Sequence, residues 1–193
     1  MAKSYTGLQA DVAAWARRSD LTTMIPSFIE MGEDEIYKTS NFALRVREME
    51  TEADLTVTDL VATIPADFLE ARYIKLDNST RDTIFYISPE KWKPSSTGYF
   101  TIVGTEVRLP TGVNSNLKLV YYSRPARLVD TAANDVLETY YMAYLESALK
   151  YAYIYMRDQA KVELSQMKLD SYLSNANRNN SFRTAGSLQV TAA

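Results

Sequence analysis

Apolar residues recur at helical spacing near both ends of this chain and alternate with polar residues through its middle. Leu8, Val12, Trp15 and Ala16 share one helical face, Thr6-x-x-Gln9 fits a capping box in front of them, and Arg17-Arg18 closes the segment. Ile25, Phe28, Ile29, Gly32 and Ile36 stand at i, i+3, i+4, i+7 and i+11 and predict a second helix ending near Thr39-Ser40. Pro26 fits its first turn, where a missing N–H leaves no helical bond unmade. From Arg47 to Val57 the period falls to two, with Glu48, Glu50, Glu52 and Asp54 alternating with Met49, Thr51, Ala53 and Leu55, as in a half-buried strand. Further strand-like runs cover 60–64, 69–76, 83–87, 99–103, 105–109 and 116–123, with a hairpin at Gly104 and a capped turn at Ser88-Pro89. Asp135-x-x-Glu138 opens a third helix running to about Tyr155. A fourth covers about 158–173, with Ala160, Leu164 and Met167 on one side. The last twenty residues hold four Asn, two Arg and no acid, a composition expected to stay disordered until a partner binds it.

Two short helices cannot bury a core alone, so both ends of the chain are expected to share one. The predicted class is α+β: a four-helix body from both chain ends, an inserted antiparallel β-domain and an extended C-terminal tail. The boundaries are 1–46 and 129–173 for the body, 47–128 for the insertion and 174–193 for the tail.

Composition narrows the chemistry. Among 193 residues, 46% are hydrophobic and 23% charged, the profile of a globular protein with a real core. There is no cysteine and no histidine, which removes disulfides, zinc knuckles, thiolate nucleophiles and the usual neutral-pH base. The net charge of −3 argues against tight binding to nucleic acid, whose phosphates are gripped by Lys and Arg. A channel through which DNA slides without being held remains compatible. No apolar run follows Met1-Ala2-Lys3-Ser4-Tyr5, and Glu146 and Lys150 interrupt the stretch from Tyr140 to Met156, so a soluble chain is expected.

At 100° per residue Tyr140, Tyr144, Tyr151 and Tyr155 fall within an arc of about 60°. With Leu137 and neighbouring apolar residues they widen the apolar sector of helix three to about half its circumference, beyond the ~100° stripe one core requires. Three readings stand: the helix is the centre of its own bundle, these tyrosines pack against another subunit, where Tyr is enriched, or they form a ligand or aromatic-stacking site. The acids Glu30, Glu33, Asp34 and Glu35 read as a solvated face, since carboxylate metal sites in bundles usually add His. Glu48, Glu50, Glu52 and Asp54 read as the wet side of a sheet, which would repel DNA phosphates if it faced a channel. Six glycines form neither G-x-G-x-x-G nor a Walker loop, and the scattered arginines define no stripe. Trp15 and Trp92 read as core anchors. No catalytic, cofactor or metal site is predicted. In the tail, Arg178, Phe182, Arg183, Leu188 and Val190 are candidates for docking on a partner, and a ring of identical tails would gain by avidity.

The order of several strings resembles the head-to-tail adaptor (connector) proteins of tailed bacteriophages. They are Ile25-Pro26-Ser27-Phe28-Ile29-Glu30, Val46-Arg47-Glu48-Met49-Glu50-Thr51, Ile64-Pro65-Ala66-Asp67-Phe68-Leu69-Glu70-Ala71-Arg72, Tyr86-Ile87-Ser88-Pro89-Glu90, Tyr99-Phe100-Thr101-Ile102-Val103-Gly104 and Leu119-Val120-Tyr121-Tyr122. The resemblance implies a non-enzymatic virion protein of the neck, assembled from host cytoplasm. It further implies a dodecameric ring joining the portal protein to the tail tube or nozzle, a DNA conduit, and a C-terminal arm that reaches the portal. The rival readings are another tail-completion or baseplate component and, further off, a carboxylate-dependent glycan hydrolase, for which no pair of acids can be nominated.

Overall fold

The computed structural model describes residues 3–39, 42–76, 83–113 and 117–184, with side chains to 180. Its contacts divide the chain into two compact units, one formed by Met1–Glu48 with Pro125–Ala193, the other by Met49–Arg124.

The first unit is helical. Helix α1 (Tyr5–Ala16) starts two residues before the predicted box: Ser4, not Thr6, is the N-cap, its Oγ accepting from Gly7 N at 3.2 Å. Helix α2 (Ile25–Asp34) carries Pro26 in its first turn and runs on into a π-helical turn, Glu35–Thr39. After the short α3 (Leu128–Thr131), helix α4 (Asp135–Thr139) is capped by Asn134, whose Oδ1 accepts from Leu137 N at 2.7 Å, so Asp135 is the first helical residue instead of the cap. The predicted third helix is broken at Tyr140, and α5 (Tyr141–Tyr155) begins immediately after it. Every residue from Ala143 to Leu149 is buried, because α1, α2 and α6 all pack on α5. Gly32 on α2 allows one of these approaches: a Cβ there would stand 2.6 Å from Ser147 Oγ and 3.2 Å from Ala148 N.

Helix α6 (Gln159–Thr184) corrects the expected tail. Residues 174–184 are helical, and Leu169, Leu173, Ala176 and Asn180 continue one buried face. The asparagines that suggested disorder are used as clamps. Asn177 Nδ2 donates to Ala43 O at 3.0 Å, Asn177 Oδ1 accepts from Arg45 N at 2.9 Å, and Asn180 Nδ2 donates to Arg45 O at 3.0 Å.

The second unit is a seven-stranded sheet in the order β1-β7-β3-β4-β5-β6-β2. Its strands are β1 (Glu50–Leu55), β2 (Val61–Thr63), β3 (Phe68–Leu76), β4 (Thr83–Tyr86), β5 (Tyr99–Val103), β6 (Glu106–Arg108) and β7 (Leu117–Ser123). Ile74, Phe100, Val107, Leu117, Leu119 and Tyr121 form its core. Gly104, at φ +63°, turns β5 into β6, where a side chain would be strained. The expectation of a wholly antiparallel sheet fails at one place, where β4 and β5 pair in parallel through Phe85↔Tyr99 and Tyr86↔Phe100. The connection between them is about a dozen residues, long enough for a crossover. It contains the predicted turn, with Lys91 N donating to Ser88 O at 3.0 Å.

Candidate assembly surfaces

Polar groups inside the helical unit come first, because a buried charge is where chemistry would be sought. Glu33 and Glu35, read from sequence as part of a solvated face, are both buried. Glu33 accepts from Leu128 N at 3.2 Å, and Glu35 meets Lys150 Nζ at 2.5 Å. Glu146, only 1% exposed, meets Lys168 Nζ at 3.0 Å. These pairs join α5 to the end of α2 and to α6. Such partners compensate the desolvation of a buried carboxylate. Glu35 and Glu146 line none of the described cavities, Glu33 lines a small one of about 90 Å³ with Tyr5, Ile29 and Val129, and no three acids among the described residues gather as a metal would require.

The four tyrosines separate by depth. Tyr144 is 1% exposed, its hydroxyl bonded to that of Tyr37 and lying 3.4 Å from Asn134 Oδ1; burial pushes its pKa up. It offers almost no surface to a neighbour. Tyr140 is half-buried, its hydroxyl donating to Glu48 at 3.4 Å. Tyr151 is also half-buried, with its pKa raised to about 12 by burial and then by the Glu35 carboxylate. Tyr155 is 57% exposed, with one ring contact to Phe28 at 5.7 Å. Trp15, expected in the core, is 48% exposed, and Trp92 is half-buried.

A larger outward surface lies on α6. Ala160, Leu164 and Met167 share a face about 180° from the buried one at 100° per residue. Leu164 is 51% and Met167 71% exposed. The sequence pattern finds this stripe but cannot say that the helix buries the opposite side. Of the tail candidates, Arg178 is exposed on α6 with its guanidinium 3.1 Å from Asn175 Oδ1. Phe182 and Arg183 belong to the last turn of α6, and Leu188 and Val190 lie outside the described residues.

In the β-unit the acids of β1 are indeed on a wetter face, but cations match them. Glu50 meets Arg72 at 2.6 Å, Glu52 pairs with Lys75, and Asp54 lies 3.8 Å from Lys118. Lys75 holds the Glu52 carboxyl below its ordinary range. The face is therefore of mixed sign and would not repel phosphate as a row of free acids would. Sequence reasoning missed a separate patch on β4 and β5, where the register partners Phe85 and Tyr99 and the neighbouring Tyr86 are all substantially exposed. A run of aromatics in two adjoining strands was the available signal.

Outward apolar residues such as Leu164 and Met167, opposite the buried face of the same helix, are surfaces of the kind at which proteins meet. A sequence model of the SU10 adaptor protein matches residues 3–191, and the chain belongs to that family. Membership points to a structural adaptor protein of a bacteriophage virion. No curated protein matches the chain. No described helix is long and apolar enough to cross a membrane.

Proposed function

We propose that copies of this chain assemble into a ring, a dodecamer as in the resemblance drawn above, that joins the portal to the tail tube or nozzle and surrounds the DNA path. The observation that carries this is the α6 stripe: Leu164 and Met167 stand outward on a helix that already buries its other side. Tyr155, with the rims of Tyr140 and Tyr151, adds aromatic surface on the same unit, of the kind enriched between subunits. Tyr144 serves the ring indirectly, by fixing α5. The matched charges along β1 suit a conduit wall that DNA passes without being gripped. The C-terminal arm, with Arg178, Phe182 and Arg183 on α6 and Leu188 and Val190 beyond it, is the portal-facing element of this reading.

Leu164→Asp with Met167→Asp tests the ring. Both positions are exposed in the subunit, so the variant should remain folded by circular dichroism while sedimenting as a monomer. A ring of unchanged size from this variant, or a wild-type chain that stays monomeric alone and with portal, overturns the proposal. Truncation after Thr184 should weaken portal binding by at least tenfold, or about 1.4 kcal/mol; unchanged affinity removes Leu188 and Val190 from the portal contact.

A further inference from the structure

Helix α6 carries two unlike surfaces. Its outward stripe, Ala160, Leu164 and Met167, lies in the first half of the helix. Toward the other end, Tyr172, Asn175 and Ala176 form one wall of a groove, which Lys3, Tyr140 and Tyr141 complete. All of these residues belong to the helical unit. At 1.5 Å and 100° per residue, stripe and groove are centred about 18 Å apart along the helix axis and about 100° apart around it. The groove encloses about 280 Å³ and is mostly apolar. That is below the roughly 300 Å³ at which small-molecule sites begin, a size suited to protruding side chains. Three tyrosines line it, with Lys3 as the one charged side chain among the described residues. Tyr141 is fixed by its hydroxyl, which donates to Asp11 at 2.5 Å. Lys3 Nζ donates to Glu138 O at 2.8 Å, stands 5.2 Å from the centre of the Tyr141 ring, and pairs with no described carboxylate.

Resting on the ring proposed above, we propose that this groove receives the α6 stripe of a neighbouring copy, with Met167 and Leu164 entering between the tyrosines. A patch that meets its own copy closes at a dimer, so a larger ring needs two different surfaces on each subunit, each fitting the other. Stripe and groove, on separate faces of one helix, meet that need. Met167 is 71% exposed, and a thioether gains from aromatic rings at about 5 Å, which Tyr140, Tyr141 and Tyr172 supply. Charge agrees with the fit. Exposed Glu163 lies one turn before Met167 on the flank of the stripe, where it accepts from Gln159 Nε2 at 3.1 Å and pairs with no described cation. The groove offers it Lys3. The lysines of the same stretch, Lys161 and Lys168, are already matched by Asp158 and Glu146.

The chain has no cysteine, so pairs introduced into the full-length protein report the contact directly. Met167→Cys, combined in turn with Tyr172→Cys and with Asn175→Cys, should oxidise in at least one pairing to a ladder of linked oligomers that ends at ring size. Each single variant should give no linked species. Linked dimers from Met167→Cys alone mean that stripe meets stripe and overturn the proposal. An assembled ring in which neither pairing cross-links also overturns it, and leaves the ring itself standing. A wild-type chain that stays monomeric alone and with portal removes both. Charge reversal gives a second measurement that leaves Met167 and the tyrosines in place. Lys3→Glu should raise the concentration at half-assembly about threefold, and Lys3→Glu/Glu163→Lys should restore it. A double variant that assembles no better than Lys3→Glu overturns the contact.

Discussion

Both units carry exposed ion pairs, but they differ in whether they also bury carboxylates. The helical unit carries Glu35 and Glu146 into its interior and meets each with a lysine from another element, Lys150 or Lys168. The β-unit keeps its ionic contacts on an outer face, Glu52 with Lys75 and Asp54 with Lys118, over a core of apolar and aromatic side chains with Thr101. Buried pairs add little net stability over apolar packing, but they penalise any arrangement that separates them. The helical unit therefore gains a defined register among α2, α5 and α6, while the β-unit takes its register from backbone pairing and needs no such device.

The sharpest way to break this comparison is Lys168→Met, which leaves Glu146 buried without its cation. A loss of about 3–5 kcal/mol in denaturant melts is expected, with most of it recovered in Glu146→Met/Lys168→Met. A loss below about 1 kcal/mol would put the pair in the same class as the surface ones.

Alkaline pH probes both units with a smaller effect. Tyr151 of the helical unit and Tyr121 of the β-unit both have pKa values raised to about 12, in each case chiefly by burial. The second cause differs: the Glu35 carboxylate for Tyr151, and the hydrogen bond from Tyr121 to Asp67 at 2.9 Å for Tyr121. An unfolded tyrosine ionises near 10, so the stability each contributes is complete below that pH and is lost as pH rises through 12. After discounting for solvent screening, each accounts for about 1 kcal/mol, read as a fall in melting temperature coincident with tyrosinate absorbance. The smallest effect belongs to Lys75→Ala, expected within about 1 kcal/mol because the pair it breaks is exposed.

Much of the secondary structure was legible because it is written locally. The i, i+3, i+4 spacing from Ile25 to Ile36 and the alternation from Glu50 to Leu55 correspond to α2 and β1. What was hidden depends on distant partners. Nothing near Glu146 announces Lys168, and nothing near Asn177 and Asn180 announces the backbone of 43–45 that turns an apparent loose tail into helix. The caps were misplaced by two residues and by one, since Ser4 and Thr6, like Asn134 and Asp135, offer the same chemistry within a short stretch. The parallel β4–β5 pair was missed because a crossover leaves no local signature. For the assembly surfaces, the α6 stripe was visible as a pattern, but only the burial of Leu169, Leu173 and Ala176 says that it faces outward.

The interleaving of the helical unit has a consequence for birth at the ribosome. Helices α1 and α2 emerge first, yet their packing partner α5 is made only after the whole sheet, and α6 later still. The sheet has all its strands by Ser123 and can close while the peptide is still growing. The nascent chain must then leave the faces that α1 and α2 turn toward α5 uncovered until Tyr155 has been made, a stretch over which a chaperone would have apolar surface to shield.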